Sequence, residues 1–595
     1  MLEDKELSMK DKIVMMLFSF VALLINATII AFLIELIWRQ DMYDTLIWLF
    51  QSSNDYWKSV MIVFILEMGI YSIFNNVFFT SLLTNMLFLI ISLVNYFKYN
   101  MKGEVFTLSD LTLYKEAFSV VDEFSIKISS LLIVSICVIV IVCVIMWFIA
   151  LATKFKVNKK IRVVSILVGL LICSSVIDVS VFVFGEKTII YIPEEFYKSH
   201  GFISGMVRTL PDNIEEPDAY SQKVISDIYN SVEVTDDVQQ DKPNVIFIMN
   251  ESLFDINALD EVKLSEDPLK NIKEYQEDFT SGNLRSPSYG GNTCQVEYEV
   301  LTGYSSYNVS GIAYTDYISD NIESLVSLYK NNGYKTYAMH PNVGTFFNRI
   351  RVYKSFGFDH ILFLEDFSLD LNYMGAWVDD VSLYKNLIFE FEKRDKDAPF
   401  FSYVVTTQNH GGHTWLFEKE KYITLLENDG MNAEEKNALC TYVNLCKYAD
   451  IALDELLQYF QKIDEPVIIV FFGDHSPYLN QFGIDESERY LDVHKTPLLI
   501  WNNYGLPEAE LGDISAYRLG AYVASLSGIN SDMYVKLLSD SRFPNTIDNF
   551  MINSEGVAIK REEWDEETIA YMEKMWLVQY DRMFGKNYYS KLRSK

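Results

Sequence analysis

Hydrophobic residues are distributed differently along the first third of the chain and along the rest. Long, predominantly apolar runs occupy residues 15–38, 60–77, 82–96, 129–152 and 163–184, and a bilayer-crossing helix needs about 20 predominantly apolar residues. Three runs meet that length. The run at 60–77 is near the lower limit, and 82–96 reaches it by drawing in its flanks. Together they predict a five-helix transmembrane domain over residues 1–185. The first run is too long for a signal-peptide core and lacks a small-residue cleavage site, so it reads as an anchor. Glu35, Glu67 and Asp178 fall within or at the ends of these runs and are candidate functional acids. Segment 154–162 carries five Lys or Arg and no acid, which assigns it to the cytoplasm. With five spans the N-terminus is also inside, in keeping with Lys5, Lys10 and Lys12, and everything beyond residue 185 is expected outside the cell.

Residues 186–242 turn polar and acidic (Glu215, Glu216, Asp218, Glu233, Asp236, Asp237) and read as a connector. From 243 to 595 short β-rich runs bounded by turn residues alternate with amphipathic helical stretches. That alternation predicts a mainly parallel sheet with helices on both faces. The clearest strands are 244–249, 335–339, 400–406, 467–472 and 497–501, and 322–332 reads as a helix ended by Gly333.

Composition narrows the function classes. Of 595 residues, 50% are hydrophobic and only 22% charged, which excludes a disordered chain. A formal charge of −31 argues against a nucleic-acid partner and against attachment to anionic lipid through a basic patch. Cys137, Cys143 and Cys173 fall in the apolar runs, leaving Cys294, Cys440 and Cys446. Cys440 and Cys446 are separated by about 9 Å of helical rise, too far to bridge, so no structural disulfide is expected.

The chemistry-bearing residues stand just past the predicted strands. Strand 244–249 runs into Asn250-Glu251-Ser252, 335–339 into His340-Pro-Asn342, 400–406 into Thr407-Gln-Asn-His410, and 467–472 into Gly473-Asp474-His475. Ligands of open α/β sheets bind at the carboxyl ends of the strands, so these residues converge on one edge. Glu251, Asp474 and His475 form a metal-capable set of hard oxygens with one imidazole. Such a set suits Mn²⁺ or Mg²⁺ and accommodates Zn²⁺. Gly473 would allow the bend that lets adjacent acid and imidazole share one ion.

A nucleophile candidate lies in Gly290-Gly291-Asn292-Thr293, where a helix is expected to begin. The glycines allow close backbone approach to a phosphate, and a helix N-terminus favours an anion. Alone, Thr293 would read as an N-cap. Beside a divalent metal its hydroxyl becomes a nucleophile.

Taken in order, these segments resemble the lipoteichoic acid synthase family. They are Asn-Val-Ile-Phe-Ile-Met-Asn-Glu251-Ser, Gly-Gly-Asn-Thr293 with Glu297-Tyr-Glu299-Val-Leu-Thr-Gly, His340-Pro through Asn348-Arg349, Tyr353-Lys-Ser-Phe-Gly-Phe-Asp359, Asn409-His410 and Gly473-Asp474-His475. That family comprises sulfatase-like phosphoglycerol transferases of the alkaline phosphatase superfamily. The resemblance implies a five-span membrane part followed by an extracellular sulfatase-like catalytic domain. It implies metal ligands at Glu251, Thr293, Asp474 and His475, with Mn²⁺ the first choice, and a nucleophile at Thr293. It places substrate phosphate and glycerol contacts at His340, Arg349 and His410. Two positions depart from the polymerase pattern: Asn342 stands where an Asp is expected and Phe347 where a Trp is expected.

The implied reaction takes glycerol phosphate from phosphatidylglycerol, holds it on Thr293 and passes it to an envelope polymer or glycolipid acceptor, with Arg349 and His410 assisting. Neighbouring readings are a phosphoethanolamine transferase, a phosphodiesterase or a degenerate envelope-binding module. A formylglycine sulfatase is disfavoured, since it needs Cys-x-Pro-x-Arg and Cys294 is followed by Gln-Val-Glu.

Overall fold

The computed structural model describes residues 8–102, 105–106, 128–153, 159–184, 193–208, 214–232, 242–309, 312–318, 322–344, 346–414, 422–426, 430–486, 489–539, 545–547, 550–552 and 558–593. The side chain of Asp178, the basic stretch 154–158 and the acidic stretch 233–241 lie outside the described residues. Two compact units are present, one holding the described helices up to residue 208, the other the described residues from 214 onward.

In the first unit, each expected apolar run is a helix: Met9–Arg39, Ser53–Phe74, Val77–Lys102, Ser130–Ala152 and Lys159–Phe184. Among the described residues, four of these are long and apolar enough to cross a membrane, and Lys159–Phe184, of 26 residues, covers the fifth run. The two short runs are thus separate helices, parted at Asn75, whose φ of 50° closes the first of them. Gly69 and Gly169 let two helices touch backbone to backbone: a Cβ on Gly169 would lie 2.5 Å from the Gly69 carbonyl oxygen. Inside the bundle the Asn26 amide donates to Glu67 and, at 2.9 Å, to Asn85, joining three helices through buried polar groups. Glu35 accepts from the Phe202 amide at 2.6 Å, and the Trp48 indole donates to the Ser199 carbonyl at 2.9 Å. These bonds fasten the short helices Pro193–His200 and Phe202–Arg208 to the same unit.

The second unit is built on an eight-stranded sheet: β1 (Asn244–Asn250), β2 (Thr280–Arg285), β3 (Lys335–Met339), β4 (His360–Leu362), β5 (Phe400–Val405), β6 (Val467–Gly473), β7 (Lys495–Asn502) and β8 (Glu510–Ser515). The spatial order is β8-β2-β7-β6-β1-β5-β3-β4. The block β6-β1-β5-β3-β4 is parallel throughout. β7 corresponds to the expected strand 497–501 but runs antiparallel to both its neighbours, so the sheet is mixed. β1, β5 and β6 are buried at every residue, as unbroken apolar strands of a sheet covered on both faces must be.

One face of the sheet carries helices Asp380–Lys393 and Ala433–Phe460, whose Leu387, Leu453 and Leu457 join Ile246, Val404 and Ile469 in a common core. The other carries Thr293–Thr302, Leu325–Asn331 and Ala516–Leu526, and there Tyr329 stacks on Phe401 with ring centres 4.4 Å apart. The expected helix 322–332 is shorter, Leu325–Asn331, because the Ser324 hydroxyl caps it; Gly333 follows with φ 88°. Since β6, β1, β5 and β3 are adjacent, their carboxyl ends lie side by side, about 4.8 Å apart from strand to strand.

Candidate active site

Glu251 follows β1, and Asp474-His475 follows β6, the next strand in the sheet. All three are buried, and one ligand atom from each lies within 4.8 Å of the others. The His475 Nε2 is 3.3 Å from Asp474 Oδ2 and 3.5 Å from Glu251 Oε1. Its Nδ1 lies 2.9 Å from the Ser476 carbonyl and so carries the proton there, which turns a lone pair on Nε2 toward the carboxylates. Asp474 Oδ1 accepts from the Ser252 and His475 amides, both at 2.7 Å. Its Oδ2 is buried without a hydrogen bond, and burial raises the Asp474 pKa. A buried carboxylate oxygen, an imidazole lone pair and a second carboxylate converging in this way fit one divalent cation. Neighbouring ligands about 3.4 Å apart are what a tetrahedral ion with bonds of about 2.1 Å requires.

Thr293 completes the group. Its Oγ1 is 3.3 Å from Glu251 Oε2 and 3.5 Å from His475 Nε2. It is the first residue of helix Thr293–Thr302, and Asn292, with φ 59°, occupies the cap position without a side-chain cap bond. Thr293 is therefore not an N-cap, and its hydroxyl faces the acids. Gly290 and Gly291 precede it with φ of 65° and 159°, and the Gly290 amide donates to the Ser476 carbonyl at 3.0 Å, tying this loop to the end of β6. Gly473 serves close packing as well as any bend: a Cβ there would meet the Leu253 carbonyl oxygen at 2.1 Å. Ser252, next to Glu251, has φ 50°, a left-handed conformation rarely taken by serine and often found at functional sites.

On the other side, beyond β5, His340 and Arg349 form a second cluster. Arg349 Nη1 donates to His340 Nε2 at 3.0 Å, and His340 Nδ1 donates to the Val405 carbonyl at 3.1 Å. Burial, reinforced by the Arg349 charge, holds the His340 pKa well below the usual histidine range. Arg349 is anchored by Glu297, whose Oε1 accepts from Nε at 2.9 Å and Nη2 at 2.5 Å. The other oxygen of Glu297 accepts from the hydroxyls of Tyr353 at 2.7 Å and Tyr314 at 3.2 Å. Phe347, with φ 51°, sets its ring 5.2 Å from the Arg349 guanidinium carbon.

His410, after β5, stands half-buried with its ring centre 4.2 Å from that of Trp377. Asn342 is half-buried, and its Oδ1 accepts from the Val343 amide at 2.7 Å, so its side chain is turned to its own turn. Behind Glu251, Asn250 donates to Asp380 at 2.8 Å and accepts from Asn409 at 2.9 Å. Burial pushes the Asp380 carboxyl up to about 7. Trp377 and Asp380 are absent from the site as read from sequence, while Asn250 and Glu297 stood in its motifs without an assigned role. Asn250 could have been drawn in from its place beside Glu251, and Glu297 from its place four residues after Thr293, on the same helix face.

A family model described as Sulfatase matches residues 243–529. A putative cyclic beta-1,2-glucan modification protein of Rhizobium meliloti is 32% identical over 66% of this chain and 63% of its own length. The lipoteichoic acid synthase of Staphylococcus aureus is 28% identical over 27% of this chain and 23% of its own. The chain thus spans less than two thirds of either relative. Among solved structures, the Streptococcus pyogenes phosphoglycerol transferase GacH, in complex with sn-glycerol-1-phosphate, aligns with a TM-score of 0.55 at 25% identity. That alignment covers 64% of this chain and 98% of GacH. With its long apolar helices and a sulfatase-type α/β unit over residues 243–529, the chain is a membrane protein similar to lipoteichoic acid synthases and phosphoglycerol transferases.

Proposed function

We propose that this protein transfers glycerol phosphate from a phosphatidylglycerol-type lipid to a hydroxyl of a cell-envelope glycan or polymer, through a phosphothreonine at Thr293. The observation that carries the reading is the Thr293 hydroxyl, 3.3 Å from Glu251 and 3.5 Å from His475 at the start of a helix. Two relatives support the choice of group and acceptor, one described as a phosphoglycerol transferase and one as a glucan modification protein. Glu251, Asp474, His475 and Thr293 would hold a divalent ion, Mn²⁺ first with Mg²⁺ or Zn²⁺ as alternatives, which lowers the pKa of a bound hydroxyl and offsets phosphoryl charge.

In the first step, Thr293 Oγ1 bonds to phosphorus and the bond to the diacylglycerol oxygen breaks, that oxygen leaving with a proton. In the second, an acceptor hydroxyl loses its proton, bonds to phosphorus and releases Thr293. Arg349 faces the equatorial oxygens, and His410 moves the proton in each direction. The basic segment 154–162, expected in the cytoplasm, supports a catalytic unit outside the cell, beside lipids of the outer leaflet.

The full-length protein in detergent, given headgroup-labelled phosphatidylglycerol or phosphatidylethanolamine, tests the proposal by mass analysis of the Thr293 peptide. A glycerol-phosphate adduct is expected. Label on the ethanolamine lipid alone would move the protein to phosphoethanolamine transfer, and no adduct in active enzyme would reject the threonine.

A further inference from the structure

Taken together, the charges around the site cancel. Glu251 and Asp474 would offset the two positive charges of a bound divalent ion, and His475 would contribute a neutral imidazole. Arg349 would be the remaining cation, the group that ordinarily draws a doubly charged phosphate. Its charge is matched by Glu297, which is buried with no exposure of its own and takes both Nε and Nη2 on one oxygen, so Arg349 meets a phosphate with free N–H groups but no uncompensated charge. His340 adds no charge, because Nε2 must keep a lone pair to accept from Arg349 while Nδ1 donates to Val405. The Tyr353 and Tyr314 hydroxyls donate to the second Glu297 oxygen, so both of its oxygens act only as acceptors. Glu297 lies one helical turn beyond Thr293, so the counter-charge and the nucleophile move as one rigid piece.

We propose that Glu297 is a specificity-determining residue: by cancelling the Arg349 charge beside Thr293, it tunes the site to singly charged phosphodiesters and against doubly charged phosphomonoesters and inorganic phosphate. A lipid phosphodiester carries one negative charge, whereas a monoester carries nearly two above its second pKa of about 6. The inference rests on the phosphoryl-transfer reading of the site. It differs from that reading in assigning the choice between esters to a residue that touches neither substrate nor metal.

The test uses the full-length metal-loaded protein in detergent, with bis(para-nitrophenyl) phosphate as diester and para-nitrophenyl phosphate as monoester at about pH 8, where the two charges differ. Wild type is expected to favour the diester and to bind inorganic phosphate no more tightly than diethyl phosphate by calorimetry. Tight phosphate binding by wild type overturns the proposal whatever the variants do. In Glu297→Gln the ratio of kcat/KM, diester over monoester, should fall at least about tenfold, and phosphate should bind more tightly. Tyr314→Phe loosens Glu297 without changing charge and should leave that ratio within about twofold. An equal loss on both esters in Glu297→Gln, or the same shift in ratio in Tyr314→Phe, makes Glu297 only a support for Arg349. A wild-type protein that cleaves neither ester and forms no Thr293 adduct with lipid instead removes the phosphoryl-transfer reading itself.

Discussion

Arg349 Nη1 and His340 Nε2 are 3.0 Å apart, and since a guanidinium can only donate, the imidazole must be the acceptor. The histidine is thereby held neutral, with its proton on Nδ1 toward Val405. Its pKa lies well below the usual value, burial being the larger cause and Arg349 the second. A lowered histidine pKa means that protonation opposes folding, so its cost appears only as pH falls below the unfolded value of about 6.5. Nitrogen NMR of labelled protein should therefore show a pyridine-type Nε2 for His340 down to about pH 5.5. A protonated imidazolium above about pH 6 would contradict the assignment.

Thr293 should be indispensable for chemistry and dispensable for folding. It is buried, but as the first helical residue it caps nothing, and removing its hydroxyl leaves the helix bonds in place. Thr293→Ala is expected to lower transfer by about 10³-fold or more, the scale on which loss of a nucleophile acts, while the melting temperature stays near wild type. Thr293→Ser should retain the covalent adduct. Wild-type-like turnover by the alanine variant would sink the assignment.

Much of this site was legible before the structure because a parallel sheet turns sequence order into geometry. Runs 244–249, 335–339, 400–406 and 467–472 are short and rich in apolar, β-branched and aromatic residues, and each becomes a strand whose next polar residues meet at one edge. By contrast, β2 reads Thr-Ser-Gly-Asn-Leu-Arg and β8 reads Glu-Leu-Gly-Asp-Ile-Ser. Neither shows an apolar period, and both are strands through their backbone pairing, β2 between β7 and β8 and β8 at the edge beside β2. Trp377 reaches His410 through a two-residue hairpin, Tyr373–Met374 against Trp377–Val378, which no local pattern announces. Asp380 was equally hidden. As the first residue of an amphipathic helix it resembles any dipole-favoured acid, and only the fold shows it buried against Asn250.

Metal binding should stabilise the protein as well as activate it. The unbonded Oδ2 of Asp474 is buried among groups that would otherwise repel or orphan it, so a cation there relieves a cost borne by the folded state. At a hundredfold excess over its dissociation constant an ion adds about 2.7 kcal/mol. Chelation of the full-length protein should lower the melting temperature of the second unit, and Mn²⁺ should restore it. Asp474→Asn should lose the metal by elemental analysis and no longer respond to Mn²⁺. Stripped of metal, it should melt above stripped wild type, since the amide removes a buried charge. A variant that still binds metal stoichiometrically would exclude Asp474 as a ligand.

Asp380 should make stability fall with rising pH. Its carboxyl is fully buried, one oxygen accepts from Asn250 and the other has no hydrogen bond, and burial lifts its pKa to about 7. An acid whose folded pKa lies above the unfolded value of about 3.9 is favoured in its protonated form by folding. Its contribution is complete below about pH 4 and is lost as pH climbs through about 7. Asp380→Asn keeps an oxygen for Asn250 and removes the ionisation. The variant should therefore match wild type near pH 5 and exceed it near pH 8, by an amount on the order of a few kcal/mol at most. Melting temperatures of the full-length protein at those two values decide it. An equal drop at both would show that the carboxylate is needed as a charge.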